Sequence, residues 1–413
     1  MRLVTDIHIH SRWSRGCSKE LTLPNIASAC VRKGIGLVGT GDCLHPIWRD
    51  SIGQELVETG SGVFSLKNIS SPTRFLLTTE ISCIYSRAGK VRRQHHVLMF
   101  PSLAALDRFI QALLGRGCNL KSDGRPIVGL DSEELIKILL DADSDCLLIP
   151  AHAWTPWFSI FGSKSGFDSI EECFGGMKGH IHAIETGLSS DPPMNWRLSM
   201  LDDVFLVSNS DAHSLDNLGR EANVFEMPEP SYPELRRILV ERDSSGFVET
   251  IEFFPEEGKY HVDGHRDCGF WCEPSETKKL KGACPKCGKP LTVGVLSRVE
   301  ELADMPASAS RPPGAVPFRY CVPLAELIAG CLGVGKASKR VKTAVDSLLA
   351  KQSEFRILLD LPELELTELA GRDIASAILD MRAGRVDIRP GYDGEFGVVK
   401  ARGVMQNHQA NLL

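Results

Sequence analysis

Asp6-Ile7-His8-Ile9-His10 closes an apolar run that begins at Leu3. Alternate residues of a strand point to one face, so His8 and His10 can meet a single ion from adjacent rungs. Six more strand-length runs follow: Leu37 to Asp42, Phe75 to Ile84, His96 to Phe100, Cys146 to His152, Ala183 to Thr186 and Phe205 to Asp211. Each is mostly aliphatic or β-branched, as buried strands are. Between several of them lie helical patterns, among them Pro24 to Lys33 and Ser132 to Asp141, the second opened by Asp131-Ser132-Glu133-Glu134. Strands alternating with helices predict an α/β fold with a parallel sheet. At this size a closed barrel is the natural solution.

The ends of these runs collect the acidic and imidazole residues: Asp42, Glu80, His95-His96, His152 and Asp211-Ala212-His213. In a barrel the C-terminal strand ends share one mouth, where catalytic groups sit. Imidazoles and carboxylates meeting there suit Zn, Mn or Fe. More than four such groups implies more than one ion. Any one of these histidines, taken singly, reads as well as a hydrogen-bonded core residue; the set as a whole does not. A mononuclear centre of the amidohydrolase type also begins His-x-His, but Glu80, His96 and Asp211-x-His213 fit it poorly. Paired divalent ions about 3.5–4 Å apart bind phosphate oxygen and generate hydroxide at neutral pH. Such chemistry needs no protein nucleophile, and no persuasive Ser or Cys nucleophile motif is present.

The 413 residues carry 13 cysteines and a net charge of -6. No apolar run approaches the roughly 20 residues needed to cross a bilayer. Charged and imidazole residues arrive before any signal-peptide apolar region forms, so the protein is expected to be soluble, cytoplasmic and free of membrane. An odd cysteine count argues against a disulfide framework. A break near Phe253-Phe254-Pro255-Glu256 and a Pro/Ser/Ala stretch from Met305 to Pro317 divide the chain into residues 1–255, 256–296 and 297–413. The last unit is expected to be mainly helical, with Leu324, Leu327, Ile328 and Leu332 on one face.

Four cysteines fall close together as Cys268-x3-Cys272 and Cys284-Pro-Lys-Cys287-Gly288. Four thiolates would close one structural zinc site and stabilise a segment too short for its own core. A variant has His265 or His261 in place of Cys268. Lys278, Lys279, Lys281, Lys286 and Lys289 surround this site without an acidic residue from Thr277 to Pro290. A basic module on an acidic chain is the footprint of phosphate-backbone contact, although lysine-rich turns are often merely solvated.

The segment after His152 is aromatic: Trp154, Trp157, Phe158, Phe161 and Phe167, with Lys164 among them. Such rings beside a cleavage site suit stacking on or unstacking of bases; a hydrophobic lid is the plain alternative. Arg87, Lys90, Arg92 and Arg93 precede His95 and form either a phosphate track or an exposed hairpin. Gly330-Cys-Leu-Gly-Val-Gly335-Lys336-Ala337-Ser338 nearly matches a phosphate-binding loop, but Ala337 takes the Ser/Thr position and a helix precedes it where a strand is needed. A Gly-rich helix-helix turn is the better reading, with Lys336, Lys339, Arg340 and Lys342 available to backbone phosphate.

The series Asp6-x-His8-x-His10, Gly41-Asp42, Thr79-Glu80, His96-Val97-Leu98, Pro150-Ala151-His152 and Ser210-Asp211-Ala212-His213 resembles the polymerase-and-histidinol-phosphatase (PHP) domain over residues 1 to about 250. The resemblance implies a distorted (βα)7 barrel with two or three ions, Zn, Mg or Mn, hydrolysing phosphoesters. By that pattern one ion takes His8, His10, Glu80 and Asp211. A second shares Glu80 and adds His96 and His152. A third uses His213 with Asp42 or His45, because the family's Asp-His pair here reads Asp42-Cys43. His8, His10, Glu80 and Asp211 are then the catalytic set.

A PHP barrel followed by Tyr260-His-Val-Asp-Gly-His-Arg-Asp-Cys268, Cys284-Pro-Lys-Cys287-Gly-Lys-Pro-Leu and a helical unit with Pro390-Gly-Tyr-Asp-Gly looks like the endonuclease Q family. That family implies a DNA repair endonuclease acting on deaminated bases (uracil, hypoxanthine, xanthine) and abasic sites. It cuts the backbone 5′ of the lesion to leave 3′-hydroxyl and 5′-phosphate ends, with the lesion nucleotide flipped between barrel and zinc module. A PHP phosphatase of the histidinol-phosphatase kind is the alternative. The prokaryotic cytosol, a monomeric state and DNA as partner follow from the same likeness. A sliding clamp is kept as a partner for the tail after Arg402, where no clear clamp-binding motif stands.

Overall fold

The computed structural model describes residues 1–401; the tail considered for a clamp lies outside them. Seven strands form the barrel wall: β1 (Arg2–Asp6), β2 (Leu37–Gly39), β3 (Arg74–Arg87), β4 (Lys90–Phe100), β5 (Leu147–Pro150), β6 (Ala183–Glu185) and β7 (Phe205–Val207). They fall on the seven apolar runs. Each sends a side chain into one buried interior cluster: Leu3, Leu37, Leu76, Met99, Ile149, Ala183 and Val207. Burying each of the larger aliphatic side chains contributes about 1.5–3 kcal/mol.

The wall is not parallel throughout, which corrects the reading of alternating strands and helices. β1, β2 and β3 run parallel, but β3 and β4 form a long antiparallel hairpin and β4 pairs antiparallel with β5. Ala88 and Gly89 make the hairpin turn, both at positive φ, the geometry that matches the twist of antiparallel strands. β6 and β7 are again parallel. Closure is incomplete. The other edge of β1 is taken by an antiparallel strand, β8 (Ala222–Glu226), and β9 (Phe247–Glu252) lies beyond it. The chain after β7 joins the end of β1 through the Ile9–Ala212 bridge and an Ile7 N–H donated to Asn209 Oδ1.

Helix Leu23–Lys33 covers the outside of the wall, started by Pro24 and ended by Gly34 in the left-handed conformation. Helix Ser132–Ala142 is capped by Asp131, whose carboxylate accepts from Glu133 N. Beyond β9 comes a small hairpin, Asp263–His265 against Phe270–Cys272, then the loop bearing Cys284 and Cys287. Helices Leu324–Leu332, Lys339–Leu349, Glu363–Ala370 and Arg372–Arg382 build the C-terminal part, followed by the strand pair Val386–Arg389 and Val398–Ala401. Strand Phe318–Tyr320 pairs parallel with β9, so this part also extends the barrel sheet. No helix among the described residues is long and apolar enough to cross a membrane.

Candidate metal centre

Two groups of side chains meet at the barrel mouth: His8, His10, Glu80 and Asp211, and Glu80, His95 and His152, the ligand atoms of each within 4.8 Å of one another. Glu80 belongs to both. Its Oε2 lies 3.5 Å from His8 Nε2 and 3.2 Å from His10 Nε2. Its Oε1 lies 2.6 Å from His95 Nδ1 and 3.1 Å from His152 Nε2. Asp211 Oδ1 completes the first group, 3.1 Å from His10 Nε2.

A layer of acceptors behind the ligands selects which nitrogen faces inward. His8 Nδ1 lies 2.9 Å from Glu185 Oε2, and His10 Nδ1 lies 3.0 Å from Asp42 Oδ1. Asp42 is itself held by the Ser11 N–H and by the Ser11 and Ser14 hydroxyls. Glu185 also accepts from Asn209 Nδ2 and from His152 N. Carboxylates in this position fix the tautomer of metal-binding histidines. The backbone is bent for the purpose: Asp42, His152 and Asp211 all hold positive φ, an unfavourable conformation that a surrounding site can sustain.

The donors fit divalent cations. His8 Nε2 is buried with no hydrogen-bond partner among the described residues, an orphan that a metal bond would satisfy. Burial draws His8 and His10 down, yet Glu185 and Glu80 around His8, and Asp42 and Asp211 around His10, lift both well above the ordinary histidine range. Burial raises Glu80, but His95, Arg125 and His8 hold it well below the usual carboxylate range. Asp211 is likewise held low, by His10 and His8 against its burial. Imidazole with carboxylate suits Zn or Mn, and the same carboxylates accept Mg.

His95, not His96, faces this centre. In the β3–β4 register Ser82 stands opposite His95 and Ile81 opposite His96, so His95 shares a face with Glu80 while His96 points outward. His96 Nε2 lies 2.8 Å from Ser132 Oγ and its ring packs on Phe174. Burial pushes His95 down to about 4, against the pull of Glu80, and His96 down to about 3. Among the described residues, Asp42, His45 and His213 are not brought together as a third grouping. Asp42 is spent on His10, His45 stacks on Trp13, and His213 packs against the His10 ring with Nδ1 directed at Asp211 O.

The zinc module also departs from four thiolates. His265, Cys268, Cys284 and Cys287 converge, and Cys272 stays outside them with its sulfur 3.2 Å from Thr277 Oγ1. In the hairpin His265 pairs with Phe270 beside the turn, whereas Cys272 pairs with Asp263 two rungs away. Histidine therefore replaces Cys272, not Cys268. A three-cysteine, one-histidine set remains a closed structural zinc arrangement.

Among the residues read as nucleic-acid contacts, Trp154 is core: it is buried, packs on Phe161 and donates to Asn195 Oδ1. Arg92 lies over the Phe167 ring and donates to Gly166 O. Arg93 is half-buried in the same hairpin. Trp157 is exposed and meets Tyr260 edge-on, and Phe158 packs on His95. Lys164 and Lys339 are exposed, and Lys336 pairs with Glu326. A cavity of about 1330 Å³ opens beside His152, Asp211 and His213 and runs past Arg220, Lys259 and Tyr260 to Lys336 and Phe396.

The MJ0043 C-terminal domain model matches residues 323–385. Uncharacterized protein YqxK of Bacillus subtilis is 30% identical, over 97% of this chain and 99% of its own length. Uncharacterized protein MJ0043 of Methanocaldococcus jannaschii is 32% identical over 60% of this chain, which spans only 31% of that longer protein. The crystal structure of the lesion-specific endonuclease PfuEndoQ from Pyrococcus furiosus superposes with a TM-score of 0.87 at 32% identity, covering 100% of this chain and 99% of that one. Endonuclease Q in complex with a 27-mer duplex substrate, an abasic lesion at its active site, gives 0.86 at 33% identity over 98% of each chain.

Proposed function

The chain belongs to the endonuclease Q family, and on that premise we propose that it is a metal-dependent, lesion-specific DNA endonuclease. The observation that carries this reading is the double use of Glu80, one oxygen toward His8 and His10 and the other toward His95 and His152. A carboxylate so shared would hold two divalent ions together with these histidines, and a pair of ions suits in-line displacement at phosphorus. Divalent ions there would supply Lewis acidity toward the phosphodiester and neutralise charge as it builds. The chain's own part is to hold that centre rigid: Glu185 and Asp42 orient His8 and His10, and Asp211 closes the set.

The substrates proposed are duplexes bearing an abasic site, uracil, hypoxanthine or xanthine, cut 5′ of the lesion to leave 3′-hydroxyl and 5′-phosphate ends. The cavity beside Asp211 supports this reading, since it gives an unstacked nucleotide a place next to the ligands. Lys259 and Arg220 on its wall suit a phosphate-bearing strand. The lysines around the zinc module, from Lys278 to Lys289, would follow the backbone further out. The division into residues 1–255, 256–296 and 297–413, and work on the chromosome in the cytosol as a monomer, belong to the same proposal. A small-monoester phosphatase has no use for a zinc module or for a cavity reaching from His152 to Lys336.

Labelled duplexes carrying one abasic site, uracil or hypoxanthine, and an undamaged control, test this with Mg or Mn present. Cleavage 5′ of the lesion by the wild type and none by Asp211→Ala is expected. Turnover of histidinol phosphate with every duplex left intact would overturn it.

A further inference from the structure

Arg125 reaches the centre from a loop that no motif announces. It follows Asp123-Gly124 ahead of the short strand Ile127–Val128, and its Nη1 donates to Glu80 Oε2 at 2.9 Å. That is the oxygen facing His8 and His10. The loop is tied down on several sides. Gly124 N donates to Trp13 O, and Asp123 Oδ1 accepts from Arg15 N and Arg125 N. A Cβ at position 124 would come within 2.3 Å of Asp42 Oδ2, so this glycine packs against the very carboxylate that orients His10. One network therefore places both the ligands and the guanidinium.

A guanidinium carries five N–H donors. Among the described residues, the Arg125 side chain makes a single hydrogen bond, to Glu80. The side chain is 28% exposed, and its other donors have no hydrogen-bond partner among the described residues. A fixed positive charge beside divalent ions is repulsive unless an anion joins them. A phosphodiester brings that anion, its non-bridging oxygens match the planar fork, and their charge grows as the reaction proceeds.

We propose that Arg125 is a catalytic residue whose free donors bind a non-bridging oxygen of the phosphodiester being cut. The assignment rests on the endonuclease reading above. Lysine at this position would keep the charge but lose the fork.

Affinity for abasic duplexes tests it without relying on turnover. Two duplexes differing by one methylphosphonate at the scissile position are titrated by fluorescence anisotropy, with Ca present and each sample checked on a gel to be uncut. The neutral linkage should weaken binding to the wild type by about tenfold more than binding to Arg125→Ala, as loss of a charge-assisted hydrogen bond requires. Arg125→Gln enters the same comparison in case the alanine variant melts early. Equal penalties in wild type and variants would overturn the assignment. If the wild type cuts abasic duplex yet the penalties match, Arg125 alone is misassigned. If the wild type neither prefers nor cuts it with Mn, the endonuclease reading falls and this assignment with it.

Discussion

His8 Nδ1 lies 2.9 Å from Glu185 Oε2, which leaves Nε2 as the ring nitrogen that can meet an ion. Glu185 accepts from the backbone of His152 as well, so it braces a ligand in each group. Glu185→Ala should weaken Mn binding about 10–100-fold, the usual cost of losing an orienting partner. Titration with Mn followed by electron paramagnetic resonance reads this directly; unchanged affinity would refute the bracing role.

The parity of the β3–β4 ladder separates two adjacent histidines. His95→Ala removes a group 2.6 Å from Glu80 Oε1 and should slow cleavage of a lesion duplex by about 100-fold or more, since losing even the orienting partner of a metal-binding group costs about 10–100-fold. His96→Ala should act on the fold, because it removes one of the two partners of Ser132 Oγ, leaving the Tyr85 hydroxyl, and opens space beside Phe174. A lowered melting temperature with cleavage within a few-fold of wild type is expected for His96→Ala. The reverse pattern would return His96 to the centre.

Zinc content distinguishes the thiols. His265→Ala and Cys284→Ser should each lose one tightly held zinc per chain, while Cys272→Ser should keep it, since Cys272 bonds Thr277 outside the cluster. Loss of zinc from Cys272→Ser with retention in His265→Ala would invert the assignment.

The seven strands, the His8/His10 pair and the residues at the strand ends were legible because periodicity and residue type report burial and placement together. Direction was not: Ala88-Gly89 is a two-residue turn that joins two runs into an antiparallel hairpin, and that reversal decides which of His95 and His96 faces Glu80. Spacing offers His265 only in place of Cys268; the hairpin turn brings it beside Cys287 and leaves Cys272 outside the cluster. Trp154 shows that aromatic density does not report exposure. Arg125 had no local signal; the folded loop, with Gly124 packed on Asp42, brings its guanidinium to Glu80.

Stability should fall as pH rises from near 5 to 8, in part through Glu257. Burial, with Glu326 nearby, raises this carboxyl to about 8, and its Oε1 has no hydrogen-bond partner among the described residues. Between the ordinary carboxylate value and 8, the folded chain keeps a proton that the unfolded chain has released. Folding thus binds a proton, and each pH unit in that window costs up to about 1.4 kcal/mol. Below the window the contribution is fully present. Glu257→Gln should flatten this slope in urea unfolding at pH 5, 6, 7 and 8; an identical slope would show that Glu257 ionises freely.

Glu80 tests the account most directly. Ion stoichiometry at the barrel and strand cleavage are measured together on wild type and Glu80→Ala, with Mn and an abasic duplex. The wild type should bind two barrel ions and cut 5′ of the lesion, and Glu80→Ala should lose the paired ions and the cleavage together. Wild-type cleavage by Glu80→Ala, or full ion binding in a chain that cuts no damaged duplex, would contradict the claim that one shared carboxylate builds a two-ion nuclease centre.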